Sequence, residues 1–292
     1  MNRFGHFAAI DWSGAAGERQ RGIAVALCRP GDDAPELVRP GHVWSRADVL
    51  HWLSRELPPE TLVGMDLGIS LPFADCGAFF PGWDRSPANA RALWTMIDAV
   101  CRDDPYLSVD TLVNHPEASR HFRRHDRLSG GRQGDLFPPG RGRLRVTEAA
   151  QAALGCSPCS NFNMVGAAQV GKSSLSGMRV LARLPRDIAV WPVDPLPARG
   201  SAVCEIYTTI AAIAAGRRAA RSKIRDGADL DAALDALNTR PHGHSGPIDD
   251  HTSDALLTAA WLRRAAPRPY LWRPAALTPH IAATEGWTFG AE

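Results

Sequence analysis

Four acidic residues of this chain have the settings expected of catalytic or metal-binding side chains. They are Asp11 after the apolar segment 7–10, Asp66 after the apolar segment 61–65, Glu205 within the strand-forming segment 202–207, and Asp254 in a segment with a helical pattern. A carboxylate at the buried end of a strand is costly unless a cation or a hydrogen-bond donor meets it. The bland alternative for Asp11 is a turn, because Asp close to Gly14 is common in turns.

The pattern of an acid at or near the end of an apolar segment recurs, which favours functional carboxylates over simple turn residues. Carboxylate oxygens are the ligands that Mg²⁺ and Mn²⁺ prefer, and magnesium keeps part of its shell for water and phosphate. The sequence therefore predicts a Mg²⁺ or Mn²⁺ site formed by Asp11, Asp66, Glu205 and Asp254.

The elements that must position these residues begin with an antiparallel meander. We predict strands over residues 7–11, 21–28 and 37–44, a helix over 45–57 with Ser45 as its N-cap, and the Asp66 strand. Helical patterns follow at 88–101 and 147–154, separated by loops rich in Gly, Pro and Arg. The Glu205 strand, a helix from Asp250 that carries Asp254, and a terminal strand or edge segment at 284–289 complete the chain.

Length and composition set limits on the class of protein. The 292 residues allow one decorated domain or two small ones, and 45% hydrophobic residues are normal for a packed core. No segment approaches the ~20 apolar residues of a membrane span, and no apolar signal region precedes the first strand, which predicts a soluble cytoplasmic protein. The formal net charge of +2 does not by itself indicate a nucleic-acid partner.

Two basic segments nevertheless offer contacts for a phosphate backbone. The candidate substrate-binding residues are Arg120, Arg123, Arg124, Arg143, Arg217 and Arg218. Arginine-rich loops that contain glycine can follow a nucleic-acid backbone. A solvated surface loop is the alternative for the first segment, because arginine is frequent throughout the chain.

Three smaller motifs have weaker implications. Residues 166–173 match the phosphate-binding pattern G-x-x-x-x-G-K-[ST], but residues 159–165 make a poor central strand, so we interpret the match as accidental. The pair Cys156 and Cys159 cannot complete a tetrahedral zinc site by itself. His242 and His244 lack a clear set of partner ligands, which favours a loop.

Taken in order, these segments resemble the ribonuclease-H-like superfamily, and within it the predicted nucleases called domain of unknown function 429. The resemblance extends along the chain and depends on residues 9–11, 64–72, 203–207, 254–260 and 285–287. It implies an α/β fold with a mixed five-stranded sheet flanked by helices. It also implies one domain over residues 1–292, with a largely helical and loop insertion at about 72–200.

The leading hypothesis is metal-dependent hydrolysis of nucleic-acid phosphodiester bonds. Asp11 would bridge two metal ions, and Asp66, Glu205 and Asp254 would complete their shells. One alternative is an ATP-binding phosphotransferase or ATPase of the actin-like or P-loop type, since Asp66-Leu67-Gly68 loosely fits the phosphate loops of the actin-like class. Another is a catalytically silent nucleic-acid-binding module, because acids at strand ends need not converge.

Overall fold

The strands of the protein fall into one large sheet and one small ribbon. The computed structural model describes residues 3–124, 132–166, 170–219 and 222–292. Its strands are β1 (His6–Asp11), β2 (Ala24–Cys28), β3 (Glu36–Leu37), β4 (Thr61–Met65), β5 (Arg123–Arg124), β6 (Arg132–Gln133), β7 (Ala189–Trp191) and β8 (Ala202–Glu205). The large sheet has the order β3-β2-β1-β4-β8-β7, and β5 pairs with β6.

The large sheet confirms the predicted α/β class and corrects the predicted strand number. The meander β1, β2 and β3 is antiparallel, whereas β4, β8 and β7 run parallel to β1. The sheet has six strands instead of five, because β7, which lies inside the region expected to be helical and loop-like, pairs with the outer side of β8. Pro192 follows β7 and leaves its hydrogen bonds to β8 intact.

Helices cover both faces of this sheet. They are α1 (Arg46–His51), α2 (Ala90–Val100), α3 (Asp110–Val113), α4 (Val146–Ala153), α5 (Val170–Arg183), α6 (Thr208–Ala214), α7 (Gly227–Ala236), α8 (Asp250–Ala265) and α9 (Pro279–Thr284). Alternate residues of β1 enter different cores: Ala8 and Ile10 pack with α1, α2 and α5, while Phe7 and Ala9 pack with α6, α7 and α8. This two-sided burial is typical of a strand at the centre of an α/β sheet.

The predicted helix over 45–57 is present in two parts. Ser45 caps α1, since its hydroxyl accepts a hydrogen bond from the Asp48 N–H at 2.9 Å. A π-helical turn, Trp52–Glu56, continues α1.

The third strand is much shorter than predicted. It ends at Leu37, and Arg39 has a φ of 55°, which extended backbone does not adopt. Of the two alternatives predicted for the terminal segment, the edge segment is the one found, since α9 ends at Thr284 and Thr288 forms a single parallel bridge with Glu205.

Within the described ranges, no helix combines the length and the apolar character needed to cross a membrane.

A buried histidine gives the fold a predicted sensitivity to acid. His121 is 4% exposed and its ring lies 5.5 Å from Phe80 and 6.3 Å from Phe162. Burial, reinforced by Arg143 and Arg120, lowers the pKa of His121 to about 4. The unfolded chain takes up this proton near pH 6.5, so folding stability falls as the pH drops from about 6.5 to about 4.

The variant His121→Phe should remove that dependence. We expect its free energy of unfolding to exceed that of the wild type by on the order of 2–3 kcal/mol at pH 4.5, with a much smaller difference at pH 7.5. Urea unfolding at the two pH values measures this, with the exposed His51→Gln as a control. An equal difference at both pH values would contradict the explanation.

Candidate functional site

Three of the four predicted acids meet at the carboxyl ends of the central strands. Ile10 of β1 is paired with Met65 of β4, so Asp11 and Asp66 leave the sheet side by side. The Asp66 N–H donates to the Ile10 carbonyl at 2.9 Å, which fixes this register. Helix α8 packs against β1 and brings Asp254 to the same edge.

The carboxyl groups of this cluster repel one another. Asp11 and Asp66 lie within hydrogen-bonding reach of each other, and Asp254 is close enough to act on Asp66. Burial, together with the charges of Asp11 and Asp254, raises the pKa of Asp66 well above its usual range. A proton held by Asp66 relieves part of this repulsion.

His251 belongs to the site but was missed from the sequence. Its Nδ1 lies 2.5 Å from Oδ2 of Asp11. The hydrogen bond to Asp11 raises the pKa of His251 and outweighs the effect of burial. The sequence feature that could have identified His251 is its position three residues before Asp254 on the same helix, because residues three apart share one face of a helix.

Lys223 provides a second cation at the cluster. Its Nζ donates to Oδ2 of Asp254 at 2.7 Å. Burial nevertheless raises the pKa of Asp254 to about 6, because Lys223 offsets only part of the desolvation. For Lys223 itself, burial lowers the pKa, but Asp254, Asp11 and Asp250 raise it overall.

Glu205 has a different environment from the three aspartates. It is 2% exposed, and its two oxygens accept hydrogen bonds from both terminal nitrogens of Arg145 at 2.6 and 2.7 Å. The Ile69 N–H and the Thr288 hydroxyl donate to the same carboxylate at 2.8 and 2.5 Å. The structure therefore places Glu205 in a saturated ion pair beside the aspartate cluster.

Arg145 serves two carboxylates at once. Its N–H groups also donate to Oε1 of Glu148, at 2.6 and 3.0 Å, and to the Glu285 carbonyl at 3.1 Å. All five N–H groups of the guanidinium are thus used. Burial raises the pKa of Glu148 to about 7, although Arg145 opposes the shift.

The donor atoms of the aspartate cluster suit a hard divalent cation, but their arrangement is not that of a formed metal site. Among the described residues, no three His, Cys, Asp or Glu side chains are placed to hold one ion together. His251 and Lys223 each hold one oxygen, of Asp11 and Asp254 respectively. These two contacts would have to open or shift for Asp11, Asp66 and Asp254 to share a cation.

The predicted substrate-binding arginines are in unequal positions. Arg143 is 8% exposed and donates to Asp75 and to the carbonyls of Pro72, Ala78 and Phe79, so its guanidinium is used within the fold. Arg120 pairs with Asp135 and Glu117, and Arg124 donates to Val113 and Asn114. Arg217 donates to the Lys223 carbonyl, while Arg123 and Arg218 are exposed.

The remaining motifs have simple structural settings. Part of the segment 166–173 and parts of the two basic segments, at 167–169, 125–131 and 220–221, lie outside the described residues. In α5, the hydroxyl of Ser173 donates to the Val170 carbonyl. Cys156 and Cys159 are free thiols, and His244 contacts the Pro247 carbonyl.

Comparison of the chain with protein-family models, with curated proteins and with solved structures gives no match.

Proposed function

We propose that this protein is a metal-dependent nuclease that hydrolyses phosphodiester bonds of nucleic acid. The observation that carries the proposal is the meeting of Asp11, Asp66 and Asp254 at one edge of the sheet. The antiparallel meander followed by parallel acid-bearing strands agrees with the ribonuclease-H-like resemblance and supports the proposal. For the runner-up functions, ATP-dependent phosphotransfer and binding without catalysis, the described part of the chain offers no comparable geometry.

The three aspartates would hold Mg²⁺ or Mn²⁺. A bound ion of this kind supplies activation of water and neutralisation of the charge that develops on the phosphate. The sequence predicted Glu205 as a metal ligand, but its ion pair with Arg145 suits it better to holding the turn after β4 in place. Its Oε2 accepts the Ile69 N–H, so the Arg145–Glu205 pair fixes the turn that carries Asp66.

His251 adds a group that can move a proton. Its Nδ1 is held by Asp11, while its Nε2 has no hydrogen-bond partner in the described part of the chain and the side chain is 46% exposed. An imidazole oriented by a carboxylate on one nitrogen can exchange a proton at the other. We therefore assign His251 to orienting Asp11 and to proton exchange with water or substrate.

The test is cleavage of labelled single- and double-stranded DNA and RNA with Mn²⁺, Mg²⁺ or a chelator. Wild type should cleave at least one substrate in a metal-dependent way, and Asp11→Asn should reduce the rate by roughly 10³-fold. Asp235→Asn, on the exposed surface of α7, is the matched control. Inactivity on every substrate would reject the proposal, and saturable ATP binding in that case would favour phosphotransfer.

Lys223 should compete with the metal ion for Asp254. We expect Lys223→Met to raise the affinity for Mn²⁺ about tenfold, because the ammonium no longer has to leave the carboxylate. The same variant should melt at a lower temperature in chelator. Isothermal titration measures the affinity, with Lys172→Met as control, since Lys172 is the other lysine of the chain. An unchanged or lower affinity in Lys223→Met would contradict the competition.

A further inference from the structure

A cavity of about 350 Å³ opens directly beside Asp66. It lies between the ends of β4 and β8 and the first turn of α5, and its wall includes Trp12, Asp66 and Tyr207. Its size falls within the range of small-molecule sites. Because Asp66 belongs both to the cavity and to the aspartate cluster, a group bound here would adjoin the bond that is cleaved.

The floor of the cavity is unsuited to phosphate. Arg145 lies there with Glu148 and Glu205, so one guanidinium faces two carboxylates. Every N–H of that guanidinium already has a protein acceptor. An anion would meet carboxylates and find no free cation among these three residues, which favours a ligand without a negative charge.

The walls favour a flat ring. Trp12 is held in place because its Nε1 donates to the Ser173 carbonyl at 3.0 Å. Tyr207 follows β8 and is half-buried. Two further polar wall residues, Asn161 and Ser174, are engaged within the protein, since Asn161 donates to the Ser70 carbonyl and accepts from Ser174. Aromatic rings beside the Asp66 carboxyl match the faces and the hydrogen-bonding edge of a nucleobase.

We propose that this cavity binds one unpaired nucleobase of the substrate strand, next to the phosphodiester that is cleaved. The inference rests on the proposed function and narrows it. A base enters such a pocket when it is single-stranded or has been turned out of its stack. The preferred substrate is therefore single-stranded or locally unpaired nucleic acid, with the backbone crossing Asp11 and one base beside Asp66.

The experiment removes one base from the nucleic acid and leaves the cavity unchanged. Fluorescence anisotropy measures binding of Asp11→Asn, in Mg²⁺, to labelled single strands in which one abasic residue is moved along the sequence. We expect one position at which loss of the base weakens binding by about 5- to 150-fold, the range that corresponds to stacking of one base. Abasic residues elsewhere should have small effects.

Two protein variants then assign that position to the cavity. Tyr207→Ala should weaken binding of the intact strand and make the abasic scan flat, because the ring that the base contacts is gone. Tyr270→Ala is the matched control, since Tyr270 is 52% exposed and does not line the cavity. It should leave both the affinity and the scan unchanged.

The possible failures are distinguishable. One outcome is that the protein with the unaltered cavity binds the strand tightly and the wild type cleaves it, but binding is the same at every position of the abasic residue. That result would overturn the nucleobase site and leave the proposal of a nuclease standing. Displacement of the strand by free nucleosides at micromolar concentration would assign the cavity to a free ligand and also overturn the proposal. Absence of both binding and cleavage would reject the nuclease function, and the nucleobase site with it.

Discussion

Replacement of Asp66 by asparagine is expected to reduce the proposed cleavage strongly and, at the same time, to stabilise the metal-free protein. Asp66 has a pKa raised by burial and by the charges of Asp11 and Asp254. The folded protein therefore holds this proton more tightly than the unfolded chain does. Stability in chelator falls as the pH rises from about 3.8 through the raised pKa, because the partly buried carboxyl must then ionise next to Asp11 and Asp254.

An asparagine at this position cannot ionise and removes that cost. We expect a gain of roughly 1–2 kcal/mol for Asp66→Asn at pH 8 in chelator, a smaller gain at pH 5, and a loss of cleavage of roughly 10³-fold in Mn²⁺. Urea unfolding at the two pH values and the cleavage assay measure the two effects, with Asp235→Asn as control. Cleavage retained by Asp66→Asn would show that Asp66 is not needed for catalysis or metal binding. A variant less stable than the wild type would show that the charge of Asp66 does not destabilise the fold.

Arg145→Met is the substitution expected to damage the fold most. It would leave Glu148 and Glu205 buried without their cation, and the loss of one partner of a buried ion pair costs about 3–5 kcal/mol. The matched control is Arg120→Met, which removes an exposed pair with Asp135 and should cost about 1 kcal/mol or less. Denaturant unfolding of both variants gives the comparison.

A triple variant tests the reason for that loss. If uncompensated carboxylates are responsible, adding Glu148→Gln and Glu205→Gln to Arg145→Met should recover a large part of the stability, because neutral amides cost less to bury than ionised groups. The triple variant should still cleave poorly, since the turn after Asp66 loses the Arg145–Glu205 support. No recovery of stability would instead point to packing around the Arg145 side chain.

The sequence was informative about the aspartates because their positions depend on local patterns. An apolar run followed by an acid marks the end of a strand, and the meander and parallel strands then place Asp11 and Asp66 at one edge. His251 could have been found from its spacing to Asp254. The short β7 could not, since three apolar residues within a loop-rich region carry little periodicity.

The buried arginines and their carboxylate partners could not be predicted from the sequence. Arg145 and Glu205 are 60 residues apart, and nothing local to either residue identifies the other. In the sequence, Arg143 is indistinguishable from the other arginines of its segment. In the structure, its guanidinium donates hydrogen bonds to the carbonyls of Pro72 and Phe79 and so fixes the loop between them. Burial depends on which distant segments pack together, so composition cannot separate these arginines from exposed ones such as Arg123.

The position of α8 in the chain has a consequence for biosynthesis. β1 and β4 lie within the first 65 residues, whereas α8, with His251 and Asp254, is made almost 200 residues later. Segments fold as they leave the ribosome, so the strands can pair long before α8 covers them. The proposed metal site therefore gains its third aspartate only after residue 254 has been made, so shorter nascent chains lack the complete aspartate cluster.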